Sequence, residues 1–285
     1  MKNFTQMIYL TQINQAMTLK SVSDHCRFYS PEDMIDPKSS KGNTMGLMYW
    51  QLNDIWQAPT WASIEYGLRW KMAHYYVRHA YSPVYVLMRL TPYLPSVSDD
   101  TALISVYLVT DFVNSTQNQV NCSINSFDSF ENRLSVKYDV QTSSSGVKLI
   151  NSTSYKSIME QTHCSNGSQC LMRCSLSSDS QSFNPIQTLF FSRPKDIQLS
   201  NPNLRIISIE QSSPMELTVT INADKPALFV WLDTPAGLTG YYSQNGFHMF
   251  EQQITVTFTS WTSFSNFHSA NVDLRLTSLY DVAQP

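Results

Sequence analysis

Apolar residues near the start of the chain recur at helical spacing. Met7, Ile8, Ile13, Ala16 and Met17 recur at near-helical spacing, no Gly or Pro interrupts them, and the pattern predicts a helix over 5–20. A polar loop carrying Pro31, Pro37 and Gly42 follows. Met45–Leu52 is then a continuous apolar run closed by Asn53 and Asp54, the form expected of a strand buried on both faces. Beyond Pro59, residues 63–79 read as a helix, with Ser63 as the N-cap whose hydroxyl accepts a free backbone N–H. Helix, buried strand, loop and helix make a parallel α/β pattern.

Near Pro83 the pattern changes to short alternating runs separated by turn residues. Residues 85–90, 102–109, 133–140 and 171–176 are predicted strands. A second boundary falls near Ser192–Lys195, beyond which 204–210, 217–222, 228–232, 254–259 and 274–276 are predicted strands. Each group has the spacing of an immunoglobulin-like β-sandwich. The expected division is therefore 1–83, 84–194 and 195–285, a mixed fold of one α/β piece and two β-sandwiches.

Composition narrows the picture. Of 285 residues, 42% are hydrophobic and only 14% charged, so cores can be buried and disorder is not expected. The net charge of −3 gives nothing to neutralise a phosphate backbone, which argues against nucleic acid as a partner. No apolar run approaches the ~18 residues a membrane span requires. Among five cysteines, Cys164 and Cys170 bracket a short polar turn and are expected to form a disulfide, with Cys122 and Cys174 a candidate second pair and Cys26 free. Their spacings do not suit zinc, and no metal is expected. Sequons stand at Asn3, Asn114, Asn121, Asn151 and Asn166, and the last four mark 114–168 as a glycosylated surface segment. Residues 1–20 lack the apolar core of a signal peptide, which conflicts with a secretory reading unless the true start lies elsewhere.

Four of the six tryptophans fall between residues 45 and 76, at Trp50, Trp56, Trp61 and Trp70. A ring face stacks on the C–H face of a sugar, and Gln51, Asn53 and Asp54 supply hydroxyl partners beside Trp50. Packing in a core is the competing role, and it is favoured for Trp70 and Trp61. Trp50, Asp54 and Trp56 are the candidate substrate-binding residues. His74 and His79 are expected to be packed or surface histidines.

The stretch LMYWQLNDIWQAPTWASIEYG resembles the signature around the eighth barrel strand of the family 2 exo-β-mannosidases. IYLTQINQA at 8–16 is similar to the region upstream of that strand. Ala227–Asp233 with Ser243–Phe247 resembles the family's C-terminal immunoglobulin-like domain. The resemblance implies the C-terminal end of a (β/α)8 barrel followed by two immunoglobulin-like sandwiches, in an enzyme of the animal lysosomal type. It implies removal of terminal β-mannose from glycoprotein-derived oligosaccharides by a retaining mechanism without a cofactor. Such a mechanism needs two carboxyl groups about 5 Å apart. The family's acid/base follows an Asn, and its nucleophile lies in a Ser-Glu-Tyr/Phe-Gly context. This chain has no Asn-Glu pair. Glu65, in Ile64-Glu65-Tyr66-Gly67, copies the nucleophile motif superficially, but Ile64 replaces the serine, and a helix-start or surface role is expected. The catalytic glutamates and the signal peptide are thus expected in an upstream part of the same enzyme, and the product is expected to be lysosomal or secreted. The alternative is a non-catalytic carbohydrate-binding or adhesion protein built on the two sandwiches.

Overall fold

The computed structural model describes residues 3–31, 35, 38, 41–96, 98–111, 116–142, 145–177, 185–234, 237–264 and 274–283. The chain divides into two compact units. The first comprises Met1–Lys20, Met48–Arg78 and Leu199–Pro285; the second comprises Ser21–Leu47 and His79–Gln198. Helices α1 (Phe4–Phe28) and α2 (Met72–Ala80) precede the strands.

The second unit is a sandwich of antiparallel sheets. Strands β1 (Val84–Thr91), β2 (Leu103–Thr110) and β5 (Gly146–Ser154) form one sheet in the order β1-β2-β5. Strands β3 (Thr116–Ser126), β4 (Asn132–Thr142), β6 (Cys170–Ser177) and β7 (Gln187–Phe190) form the other, in the order β4-β3-β6-β7. Alternate residues from both point inward. Ile104, Val106 and Leu108 of β2 share one core with Val120, Cys122 and Ile124 of β3. Each such side chain contributes roughly 1.5–3 kcal/mol of burial. Cys122 faces Cys174 across the β3–β6 ladder and is bonded to it. Helix α3 (Tyr155–Thr162) is capped by the Ser154 hydroxyl, which accepts the Ser157 N–H, and it ends on His163 in the left-handed conformation. The turn after it is closed by the Cys164–Cys170 disulfide.

Strand β1 is buried on both faces. Val84, Val86 and Leu90 enter the sandwich core, while Tyr85 and Leu87 pack with Val109 against Phe28 and Tyr29 at the end of α1. Arg89 lies 4.0 Å from the Phe28 ring centre. Arg27 donates to the Ala80 and Ser82 carbonyls and to Asp111. This second cover explains why the run 84–91 shows little polar alternation.

In the first unit, strands β8 (Arg205–Ser213), β9 (Glu216–Asn222), β11 (Gly240–Tyr242) and β13 (Gln253–Ser260) form a sheet in the order β11-β13-β9-β8. Strands β10 (Ala227–Leu232), β12 (Phe247–Met249) and β14 (Leu276–Thr277) form another, in the order β12-β10-β14, and α4 (Leu279–Ala283) follows. Edge strand β8 slips register with β9 twice, between Ile206 and Ser208 and between Gln211 and Ser213. Strand β10 bulges between Ala227 and Val230, where buried Phe229 adopts φ 53°. Both its backbone groups are held: its N–H reaches His248 Nδ1 at 3.2 Å, and the Tyr9 hydroxyl of α1 donates to its carbonyl at 2.5 Å. Tyr75 and Tyr76 fasten α2 to the same unit, through the Tyr242 N–H and the Gly246 carbonyl. Gly246 has φ 68°, and a Cβ there would lie 2.8 Å from the Met72 side chain, so glycine answers both demands.

Two expected elements differ. No strand forms over 45–52, and Met45, Met48, Trp50 and Leu52 are exposed. A strand buried on both faces requires a sheet to join and layers to cover it, and none of the described strands pairs with this segment. The helix expected over 63–79 begins only at Met72. A tight turn at Glu65–Leu68, with Leu68 at φ 61°, precedes it, and the Ser63 hydroxyl is not a helix cap. Helices α3 and α4 and strands β3, β5, β7, β11 and β12 have no counterpart among the expected elements.

Candidate functional site

The loop from 48 to 71 is built on a minimal backbone scaffold. Asn53 bridges Ile64 in parallel, and Ile64 bridges Trp70 in antiparallel fashion. The Asp54 N–H reaches the Ile64 carbonyl at 3.0 Å, and the Lys71 N–H reaches Ser63 at 2.9 Å. Two side-chain fasteners complete it. The Asp54 carboxylate is almost fully buried; one oxygen accepts from the Thr60 hydroxyl and the other from the Lys71 ammonium at 3.0 Å. Burial works upward on this carboxyl, but the Thr60 hydrogen bond and the Lys71 charge outweigh it and hold it below its ordinary value.

The second fastener centres on fully buried Ser63. Its oxygen lies 3.0 Å from the Leu52 carbonyl, 2.9 Å from Tyr49 Oη and 3.0 Å from His74 Nδ1. A hydroxyl has one proton to donate, which the carbonyl requires. Tyr49 and His74 therefore donate to it, which places the proton of neutral His74 on Nδ1. Burial first, and the Arg78 charge second, depress the His74 pKa to about 4. The unfolded imidazole takes up its proton near pH 6.5, so His74 contributes stability in full above that pH and loses it as pH falls towards 4. The melting temperature is expected to drop over this window in the native sequence and to drop less in His74→Gln. An equal drop in both would exclude the assignment.

The expected substrate-binding residues stand at different places. Trp50 and Trp56 are 72% and 61% exposed. The Trp50–Gln51 peptide is cis. Trp61 is also exposed, and its carbonyl accepts from Gln15 at 2.7 Å. Trp70 is packed, stacked on Tyr241 with ring centres 4.3 Å apart. A hollow of about 1460 Å³ opens beside the loop, with Trp61, Tyr66, Trp70, Trp231, Arg69 and Asp233 on its wall. Asp54 borders it, whereas Trp50 and Trp56 stand outside it. Glu65 is ion-paired with Arg69. Both carboxylates of the loop are thus tied to cations, and neither is presented as a free acid or nucleophile. What the loop offers is aromatic faces. Thr60 and Lys71 escaped the sequence reading, and Ser63 was expected only as a helix cap, because no local motif signals a hydroxyl or ammonium partner reached through a loop.

Among the sequons, Asn114 lies outside the described residues. Asn121 is half-buried on β3, Asn151 lies on β5 and Asn166 is exposed. Cys26 is free.

Residues 199–282 match the sequence model of the immunoglobulin-fold domain of mannosidases. The β-mannosidase of Capra hircus is 31% identical over 285 residues, covering 99% of this chain and 30% of that protein. The β-mannosidase of Mus musculus is 30% identical, covering 98% and 30%. The chain is a homologue of the β-mannosidases. A fungal relative, the β-mannosidase A of Aspergillus fumigatus, is 30% identical over 86% of this chain and 25% of its own length. The crystal structure of a β-D-mannosidase from Dictyoglomus thermophilum shares the fold, with a TM-score of 0.72 over 98% of this chain at 18% identity. The chain spans about three-tenths of the length of these animal relatives and of that structure.

Proposed function

We propose that this chain is part of a retaining exo-β-mannosidase acting on terminal β-mannose of glycoprotein-derived oligosaccharides. The observation that carries this is sequence similarity to β-mannosidases along essentially the whole chain. In this reading residues 1–83 are the end of a (β/α)8 barrel, followed by sandwiches at 84–194 and 195–285. The exposed run 45–56 supports it, because such apolar surface is what a missing barrel wall would cover. Trp50, and secondarily Trp56, stack on the terminal sugar, and Asp54 holds the loop that carries them. The catalytic glutamates lie in the upstream part of the enzyme. The two disulfides suit an oxidising compartment, as a secreted or lysosomal product requires. No described helix is long and apolar enough to cross a membrane.

The test has two arms. An immunoblot against the last sandwich is expected to show a native polypeptide much larger than 32.6 kDa, whose immunoprecipitate hydrolyses an aryl β-mannoside. The 285-residue chain alone is expected to give no turnover above background. A single native band near the mass of this chain, without hydrolysis, would overturn the proposal.

A further inference from the structure

We propose that Asn166 carries an N-linked glycan in the folded protein and that Asn151, although its sequon is intact, serves as an unmodified structural amide. The inference rests on the disulfides and the sequon geometry, independently of any β-mannoside hydrolysis.

Asn166 sits at the tip of the turn closed by Cys164–Cys170, whose sulfurs are buried in the sandwich core while the asparagine is exposed. Its Oδ1 accepts the Ser168 backbone N–H at 2.9 Å and the Ser168 hydroxyl as well. The asparagine is thereby bonded to the hydroxyl residue of its own sequon through the oxygen alone, and no described hydrogen bond engages its Nδ2, the atom that bears the sugar. The Ser165 N–H bonds to the Gln169 side chain, and the Gln169 N–H to the Asn166 carbonyl, so the turn is fixed along its length. The middle residue is also determined. A Cβ at Gly167 would lie 2.4 Å from the Phe191 carbonyl oxygen, so only glycine lets the turn seat on that backbone. The exposed position of Asn166 leaves its side chain accessible for a glycan.

Asn151 is the opposite case. Its Nδ2 donates to the Tyr138 hydroxyl at 2.9 Å and to the Thr153 hydroxyl at 2.7 Å, using both protons. Tyr138 is on β4 of one sheet and Asn151 on β5 of the other, so the amide ties the sheets together beside a cavity of about 30 Å³. A sugar on that nitrogen removes one of the two protons and needs space where the second sheet stands. The same oxidising compartment that forms the disulfides is where sequons meet the glycosylation machinery.

The experiment expresses the full chain behind a cleavable secretion leader in a glycosylating host. Peptide-N-glycosidase treatment in heavy-oxygen water then marks every asparagine that carried a glycan, read by peptide mass spectrometry in both the medium and the microsomal pool. Asn166 is expected to be marked in most molecules and Asn151 in none of the secreted ones. Asn166→Gln and Ser168→Ala are each expected to remove the same single mobility step, whereas Thr153→Ala leaves mobility unchanged. An unmarked Asn166 peptide in both pools, or secreted chain marked at Asn151 as fully as at Asn166, would overturn the proposal. Occupancy in the native sequence decides even if a variant fails to fold.

Discussion

Replacing Cys122 and Cys174 together by alanine is expected to lower stability by about 4 kcal/mol, the entropy released when a loop of this length opens in the unfolded chain. The two residues are 52 apart in sequence, bonded on adjacent strands in the centre of the four-stranded sheet. The pair Cys164 and Cys170, 6 apart, closes a far shorter loop, and its removal is expected to cost nearer 2 kcal/mol on the same reasoning. The assay is urea unfolding followed by far-ultraviolet circular dichroism. A convenient second signal exists, since all six tryptophans belong to the first unit and their emission reports on that unit. A circular-dichroism midpoint that does not move in the Cys122/Cys174 variant would show that the bond adds nothing to the fold.

Lys71→Met is expected to be nearly as damaging, at roughly 3–5 kcal/mol, because it strands the Asp54 carboxylate in the interior with only the Thr60 hydroxyl for company. Replacing both partners, as Asp54→Leu with Lys71→Met, is expected to cost much less than Lys71→Met alone, since no charge is then left buried. Tryptophan emission is the natural readout, with Trp56, Trp61 and Trp70 on the loop that the pair fastens. The pH dependence follows from the sign of the shift. Asp54 is depressed in the folded state, so its contribution is complete above the ordinary carboxylate pKa and disappears as pH falls through the lower folded value. Lys71→Met should flatten that acid limb. Additive single and double variants would mean that the ion pair is not what holds the loop.

These fasteners mark the limit of what the sequence discloses. Strands such as β2 and β9 were legible because inward Ile, Val and Leu alternate with outward Ser, Thr or Tyr. Strand β3 was not, although it has the same alternation: Val120, Cys122 and Ile124 point inward, but Asn118 is buried in line with them, and the polar residues between gave the segment the look of a loop. The helix expected from Ser63 failed for a local reason, the turn at Gly67 and Leu68, which delays helical geometry until Met72. The run 45–52 has the composition of a core strand yet stands exposed, because sequence pattern records how a segment is meant to be covered and says nothing of whether the cover is present. The aromatic richness of 50–70 was plain; which rings would stack on protein and which would face water was not, since Trp70 finds Tyr241 from another part of the chain.

The two register slips of β8 bear on how this chain behaves in concentrated solution. An edge strand with a regular row of open N–H and C=O groups is a template for a neighbour's strand. Over nine residues β8 is bent at two points, so a second copy laid along it would lose pairing at both. Growth by sheet extension is discouraged on that side, and self-association is directed instead to the uncovered Met45, Met48, Trp50 and Ile55. Association of the isolated chain through that patch should therefore be reversed by mild detergent.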